Sequence, residues 1–138
     1  MGRRTMISVL LDTHTWAWAL KRDGRLSRKA ANFVDQADAV FISPITFFEI
    51  SQKVRIGKWP EMQPIADRLL DILGEQGGKA TVLSPEICLL AGQLDWAHRD
   101  PFDRMLAATA IHYAMPFISA DSIFDQLAGH DGWIARLW

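Results

Sequence analysis

Short apolar runs alternate with amphipathic segments along the chain. Five of these runs have the length of strands and are bounded by polar, glycine or proline residues; they cover residues 6–11, 39–43, 80–83, 116–119 and 133–138. The runs lack strict alternation of polar and apolar residues, which is typical of strands buried on both faces of a mostly parallel sheet. The pattern therefore predicts an α/β fold of three layers, α/β/α, with helices on both faces of the sheet.

Helix start and stop signals fill the segments between the runs. Cap residues and prolines predict helix starts at Ser27, Ser84-Pro85 and Asp100-Pro101, with two more from about Ile45, just after Pro44, and from about Pro64. The helix after Pro44 is expected to end at Gly57, and the helix predicted over residues 64–75 to end at the turn of residues 77–78. No internal repeat or linker interrupts this order, so we expect one domain over residues 1–138.

Composition narrows the class of protein. The 138 residues are 49% hydrophobic and 22% charged, as expected for a globular domain, and the net charge of −1 excludes a surface that is basic all over. Any contact with nucleic acid must therefore use a local patch. Cys88 is the single cysteine and cannot form an internal disulfide, and no run of about 18 apolar residues predicts a membrane span. We expect a cytoplasmic protein.

Three aspartates stand where a helix begins, and each has two interpretations. Asp12 follows the first strand, Asp103 lies in the first turn after the Asp100-Pro101 start, and Asp121 follows the fourth predicted strand. Each could be an ordinary helix cap or a negative charge that favours the helix dipole. Because ligands of parallel α/β sheets gather at the carboxyl ends of strands, Asp12 and Asp121 are also expected to share one edge of the sheet.

Glu49 does not fit the capping interpretation. It lies inside a helix that is apolar on two sides, so its carboxylate is expected to be partly sheltered and to need a partner. Lys53, one helical turn away, is one candidate, and a metal ion is the other. Carboxylates with no companion cysteine or histidine spacing suit Mg²⁺ or Mn²⁺.

Four motifs in succession resemble the signatures of one family. They are LLDTHTWAWAL, FFEISQKVRIGKW, HRDPFDRMLAATA and FISAD, and together they cover nearly the whole chain. The chain resembles PIN-domain ribonucleases, specifically the VapC-type toxins of toxin–antitoxin pairs. The resemblance implies a Mg²⁺- or Mn²⁺-dependent endoribonuclease whose active site a cognate antitoxin blocks.

The resemblance also assigns residues. The four catalytic, metal-binding acids of the family match Asp12, Glu49, Asp103 and Asp121, and Asp100 is an additional candidate ligand. The family often has threonine two positions before the fourth acid, and Ser119 keeps the hydroxyl here.

Basic residues beside these motifs are candidates for an RNA path or for a solvated helix face. They are Lys53, Arg55, Lys58, Arg99 and Arg104. The histidines lack metal-ligand spacing, so we interpret His14 and His98 as surface or packing residues. Apolar faces on helices 45–56 and 64–75, together with the family resemblance, imply a homodimer that also binds a short, partly disordered antitoxin.

Two rival functions are considered. A catalytically silent PIN-like module would bind RNA or protein without cutting, but the intact acid set disfavours it. A haloacid-dehalogenase-like phosphatase also begins with an aspartate after a strand. It needs a second aspartate two residues later, where this chain has His14.

Overall fold

One parallel sheet organises the computed structural model, which describes residues 6–138. The first five residues of the predicted domain therefore lie outside the described part. The strands are β1 Ser8–Leu11, β2 Ala39–Ile42, β3 Lys79–Ala80, β4 Phe117–Ile118 and β5 Arg136–Leu137. Their order is β3-β2-β1-β4-β5, and every neighbouring pair is parallel. The predicted α/β class with a mostly parallel sheet is confirmed.

Helices connect the strands. Within residues 6–138 the α-helices are α1 Thr13–Lys21, α2 Arg28–Gln36, α3 Pro44–Arg55, α4 Leu69–Glu75, α5 Pro85–Gln93 and α6 Pro101–Tyr113. Side chains of Ser27, Ser43 and Ser84 cap α2, α3 and α5, which explains why these helices begin where they do. None of the helices in this range is both long and apolar enough to cross a membrane.

Two apolar cores lie on opposite faces of the sheet. Val9 and Leu11 of β1 pack in one core with Ile50 of α3, whereas Leu10 packs in the other with Leu106 of α6. Successive side chains of a strand point to opposite faces, so the single strand β1 contributes to both cores, as β4 does through Phe117 and Ile118. This arrangement is the predicted three-layer α/β/α fold, with β1 at the centre of the sheet.

The predicted helix over residues 64–75 is α-helical only in its second half. A 3₁₀ segment occupies Pro60–Arg68, and α4 begins at Leu69. Because the segment already begins at Pro60, Pro64 lies inside it rather than at its first position, and there it has no N–H to donate to the Pro60 carbonyl four residues earlier. The prediction of an α-helix from Pro64 is therefore wrong.

Candidate metal centre

Four carboxylates from separate parts of the chain line one cleft of about 360 Å³. Asp12 directly follows β1, Glu49 lies in α3, Asp103 lies in α6, and Asp121 stands three residues after β4. Because β1 and β4 are parallel neighbours, their carboxyl ends deliver Asp12 and Asp121 to the same edge of the sheet. Asp100 lines the same cleft. The acids therefore meet around one space.

Asp12 is both a helix cap and, like Glu49, a buried acid of the cleft wall. Its Oδ1 accepts a hydrogen bond from the backbone N–H of Thr13 at 2.7 Å, and its Oδ2 accepts one from the Ser119 hydroxyl at 2.6 Å. Burial raises the pKa of Asp12 from 3.8 to about 7, and the negative charges of Asp103 and Glu49 add to that increase. A cation in the cleft would favour the charged form of this carboxyl.

Glu49 forms an ion pair with Lys53, one of the two partners that the sequence indicated. Only 7% of Glu49 is exposed, and its Oε2 lies 2.6 Å from Nζ of Lys53. Lys53 also lines the cleft and lies 5.7 Å from the ring centre of Trp59. One turn before Glu49, the Thr46 hydroxyl shares a 2.8 Å hydrogen bond with that of Thr13, which joins α3 to the residue after Asp12.

Asp100 and Asp103 make different contacts at the start of α6. Oδ1 of Asp100 accepts hydrogen bonds from the N–H groups of Phe102 and Asp103, at 2.8 and 3.1 Å, and so caps the helix. Oδ2 of Asp103 lies 2.6 Å from Nε2 of His98. Burial raises the pKa of Asp103, while its hydrogen bond with His98 opposes that increase.

His98 therefore contacts a candidate ligand, which its sequence position did not predict, while its packing against the ring of Trp96 at 5.0 Å agrees with its interpretation as a packing residue. The signal available in the sequence was its place five residues before Asp103. That separation reveals little, because the path of the loop between α5 and α6 depends on tertiary contacts. His14 behaves more as expected, since its ring stacks on Trp59 at 4.7 Å, although it also lines the cleft.

Ser119 connects the first and fourth acids. Its hydroxyl donates to Asp12 and accepts a hydrogen bond from the backbone N–H of Asp121 at 3.1 Å. Asp121 in turn caps the 3₁₀ segment Ser122–Leu127 by accepting a hydrogen bond from the N–H of Ile123 at 3.0 Å. The hydroxyl two residues before Asp121 thus links the carboxylate of Asp12 to the backbone of Asp121.

Arg104 differs from the other basic residues near the acids. Its guanidinium donates four hydrogen bonds to backbone carbonyls, those of Ala91, Leu94, Trp96 and His98, at 2.7–2.9 Å. This group ties the loop between α5 and α6 to the start of α6. By contrast, Arg55, Lys58 and Arg99 are exposed.

A model of the PIN domain matches residues 9–130 of this chain. The chain belongs to the PIN domain family. Ribonuclease VapC22 of Mycobacterium tuberculosis is 26% identical to this PIN domain over 117 residues, which make up 84% of this chain and 88% of the relative. The resemblance that the four motifs indicate is confirmed.

Solved structures share the fold of this PIN domain. VapBC2 from Rickettsia felis, bound to a DNA fragment from its promoter, has a TM-score of 0.66 at 15% identity, covering 96% of this chain and 100% of that one. VapBC-1 from nontypeable Haemophilus influenzae has a TM-score of 0.65 at 20% identity, covering 94% and 98%. VapBC-5 from Mycobacterium tuberculosis, a member of the VapBC family of toxin–antitoxin systems, has a TM-score of 0.65 at 16% identity, covering 94% and 97%.

Proposed function

We propose that this PIN domain is a divalent-metal-dependent endoribonuclease that hydrolyses RNA phosphodiester bonds as the toxin of a type II toxin–antitoxin pair. The observation that carries the proposal is the convergence of Asp12, Glu49, Asp103 and Asp121 on one cleft. A relative that is named a ribonuclease, and neighbours that are VapBC toxin–antitoxin proteins, support it.

The chemistry of the donor set fits a hard divalent cation. Carboxylate oxygens predominate in the cleft, and such oxygens are the ligands that Mg²⁺ and Mn²⁺ prefer. The pKa of about 7 at Asp12 fits as well, since neighbouring negative charges and burial disfavour ionisation when no cation is bound. Asp12, Glu49, Asp103 and Asp121 would hold the ion, with Asp100 as a further candidate.

The residues of the chain have distinct roles in this proposal. When bound, the cation supplies positive charge for the phosphate and the departing 3′ oxygen and makes a coordinated water more acidic. Ser119 holds Asp12 and Asp121 in register, and the bond between Thr13 and Thr46 holds α1 beside α3. Lys53 neutralises Glu49 and, at the cleft, is placed to move its ammonium group towards an incoming phosphate.

For the RNA path we propose four of the five basic residues, Lys53, Arg55, Lys58 and Arg99. Three of these are exposed and the fourth lines the cleft, so each can meet a phosphate without breaking the fold. Arg104 is left out, because the four carbonyls that it binds occupy its guanidinium.

The proposed partners are a second copy of the chain and a cognate antitoxin, both in the cytoplasm. Three large apolar side chains of the region from α3 to α4 are exposed: Phe48 by 54%, Ile56 by 47% and Leu70 by 73%. A groove of about 450 Å³ separates α3 from the 3₁₀ segment and α4, and Phe48 and Leu70 line it. Apolar surface of this kind favours a protein–protein interface.

The deciding experiment incubates the purified chain with defined RNA pools, with and without Mg²⁺ or Mn²⁺, and maps the ends of the products. We expect cleavage that requires the metal and stops in excess chelator. Asp103→Asn, purified in parallel, is the control for a contaminating nuclease. Cleavage that persists in chelator, or that is equal in the variant, would overturn the proposal.

A further inference from the structure

We propose that His98 is the positioning residue of the candidate metal centre: it holds Asp103 through one carboxylate oxygen and leaves the other available to the cation. This inference rests on the proposed function, because it assumes that Asp103 is a ligand. The direct observation is the 2.6 Å hydrogen bond between Nε2 of His98 and Oδ2 of Asp103.

His98 contacts Asp103 from the loop between α5 and α6. Asp103 is among the described residues that line the cleft, and His98 is not. The bond uses Oδ2 of Asp103. In the tautomer that carries its proton on Nε2, a neutral imidazole can donate this bond.

The backbone that carries His98 is held by the helix that carries Asp103. Arg104, the residue after Asp103, donates from Nη1 to the carbonyl of His98 at 2.9 Å and from the same nitrogen to that of Trp96 at 2.8 Å. Two further bonds, to Leu94 and Ala91, extend this tie to the end of α5. One guanidinium thus fixes the loop, and the loop presents His98 to Asp103.

The ring of His98 is held as well. It packs at 5.0 Å from the ring of Trp96, and Trp96 is itself buried, with its indole N–H donating to Gln126 at 2.9 Å. A side chain whose backbone and ring are both fixed loses little rotamer freedom when it bonds Asp103. Mutation of a partner that orients a metal ligand in this way typically lowers metal affinity by 10- to 100-fold.

A direct ligand role for His98 is the competing assignment. One ligand atom each of His98, Asp100 and Asp103 lies within 4.8 Å of the others, which is close enough for a shared ion. To bind an ion through Nε2, however, His98 would have to give up its bond to Asp103. The positioning role keeps the observed contact, and the two roles make different demands on a substitute side chain.

Four variants of the full chain separate these roles. His98→Ala removes the contact, His98→Asn keeps an amide that is too short to reach Asp103, and His98→Gln places an amide N–H near the position of Nε2. His112→Ala is the matched control, because His112 is an exposed histidine in the last turn of the same helix as Asp103. The readouts are the Kd of Mg²⁺ and of Mn²⁺ by calorimetry and the thermal midpoint without metal.

We expect His98→Ala and His98→Asn to weaken binding of both ions about 10-fold or more. His98→Gln should stay near the wild-type Kd, because it can still donate to Asp103, and His112→Ala should not change it. Thermal midpoints show whether each variant folds. If His98→Ala does not fold, His98→Asn still tests the loss of the contact with Asp103.

Two results would overturn the inference while leaving the metal centre in place. One is wild-type affinity in His98→Ala. The other is a loss in His98→Gln as large as in His98→Ala and greater for Mn²⁺ than for Mg²⁺, which would make His98 a ligand. If the wild-type chain binds neither ion, the proposed function fails and this inference fails with it.

Discussion

Asp100 and Asp103 lie three residues apart and differ in what they contact, which gives the first prediction. Asp103→Asn should abolish cleavage and leave the fold intact, since it removes charge from the cleft at nearly constant shape. Asp100→Asn should matter much less, because asparagine caps a helix about as well. Asp100→Ala should lower stability by about 1 kcal/mol, because the N–H groups of Phe102 and Asp103 lose their acceptor.

Cleavage rates and thermal midpoints of these three variants, measured side by side, check the assignment. Loss of activity in Asp100→Asn that is as complete as in Asp103→Asn, with an unchanged midpoint, would place Asp100 among the ligands.

Asp12 gives a pH dependence whose sign follows from its raised pKa. In the folded, metal-free protein the pKa is about 7, compared with an ordinary value of 3.8. Between these values the folded state binds the proton more tightly than the unfolded state does. Stability from this group is therefore greatest below about pH 4 and falls as the pH rises to about 7. The loss is a few kcal/mol at most, at about 1.4 kcal/mol for each pH unit between the two pKa values.

Asp12→Asn should remove this part of the pH dependence. Without metal, the variant should therefore gain stability relative to wild type as the pH rises from 5 to 8, as measured by chemical denaturation at several pH values. A difference between the two proteins that stays constant across this range would show that Asp12 ionises normally.

At the scale of elements, the loop between α5 and α6 depends on one guanidinium. Arg104→Lys keeps the charge but loses the fork that reaches four carbonyls, so the carbonyls of Ala91, Trp96 and His98 lose this donor, while that of Leu94 keeps the N–H of Trp96. We expect a loss of about 1–3 kcal/mol in the free energy of unfolding. Arg99→Lys, an exposed neighbour, is the control and should stay within about 0.5 kcal/mol of wild type. Equal stability of the two variants would mean that the loop is held by other contacts.

At the scale of the whole molecule, the exposed apolar surface of α4 is expected to lie in the homodimer interface. Leu70→Asp should shift the protein to a monomer in light scattering, because a charge replaces a side chain that is 73% exposed in the single chain and would be buried in the dimer. Leu89→Asp places the same charge at a position of similar exposure, 63%, on α5. A dimer that survives Leu70→Asp, or that dissociates equally in both variants, would locate the interface elsewhere.

Because the net charge of the molecule is −1, RNA binding must depend on a local group of basic residues. Lys58→Ala should raise KM for RNA and leave kcat nearly unchanged, because Lys58 is exposed and touches no acid of the cleft. The slope of log affinity for RNA against log salt concentration should become shallower by the amount that one phosphate contact contributes. A fall in kcat at unchanged KM would instead assign Lys58 to the reaction itself.

Local signals in the sequence determined the elements. Ser43-Pro44, Ser84-Pro85 and Asp100-Pro101 start α3, α5 and α6 because a cap and a proline act on the adjacent backbone, wherever the helix later packs. The end of α3 is equally local. Gly57 has a φ of +74°, and Lys58 and Gly57 donate to the carbonyls of Lys53 and Val54.

The candidate acids could also be predicted, since each stands in or beside an element whose type the sequence determines. Strand ends place Asp12 and Asp121, and two apolar faces shelter Glu49. Local signals failed where two prolines each indicate a helix start. Pro64 alone predicts that an α-helix begins there, but Pro60 precedes it by four residues, and the chain forms a 3₁₀ segment from Pro60 to Arg68.

Only the tertiary structure decided which residues meet. The strand order β3-β2-β1-β4-β5 brings β4 beside β1, and Ser119 thereby reaches Asp12 across 107 residues of sequence. The partners of His98 and Arg104 depend on the path of an irregular loop, which has no periodicity to predict it. Contacts between distant residues form because packing of the whole chain makes them favourable, so no short stretch of sequence contains them.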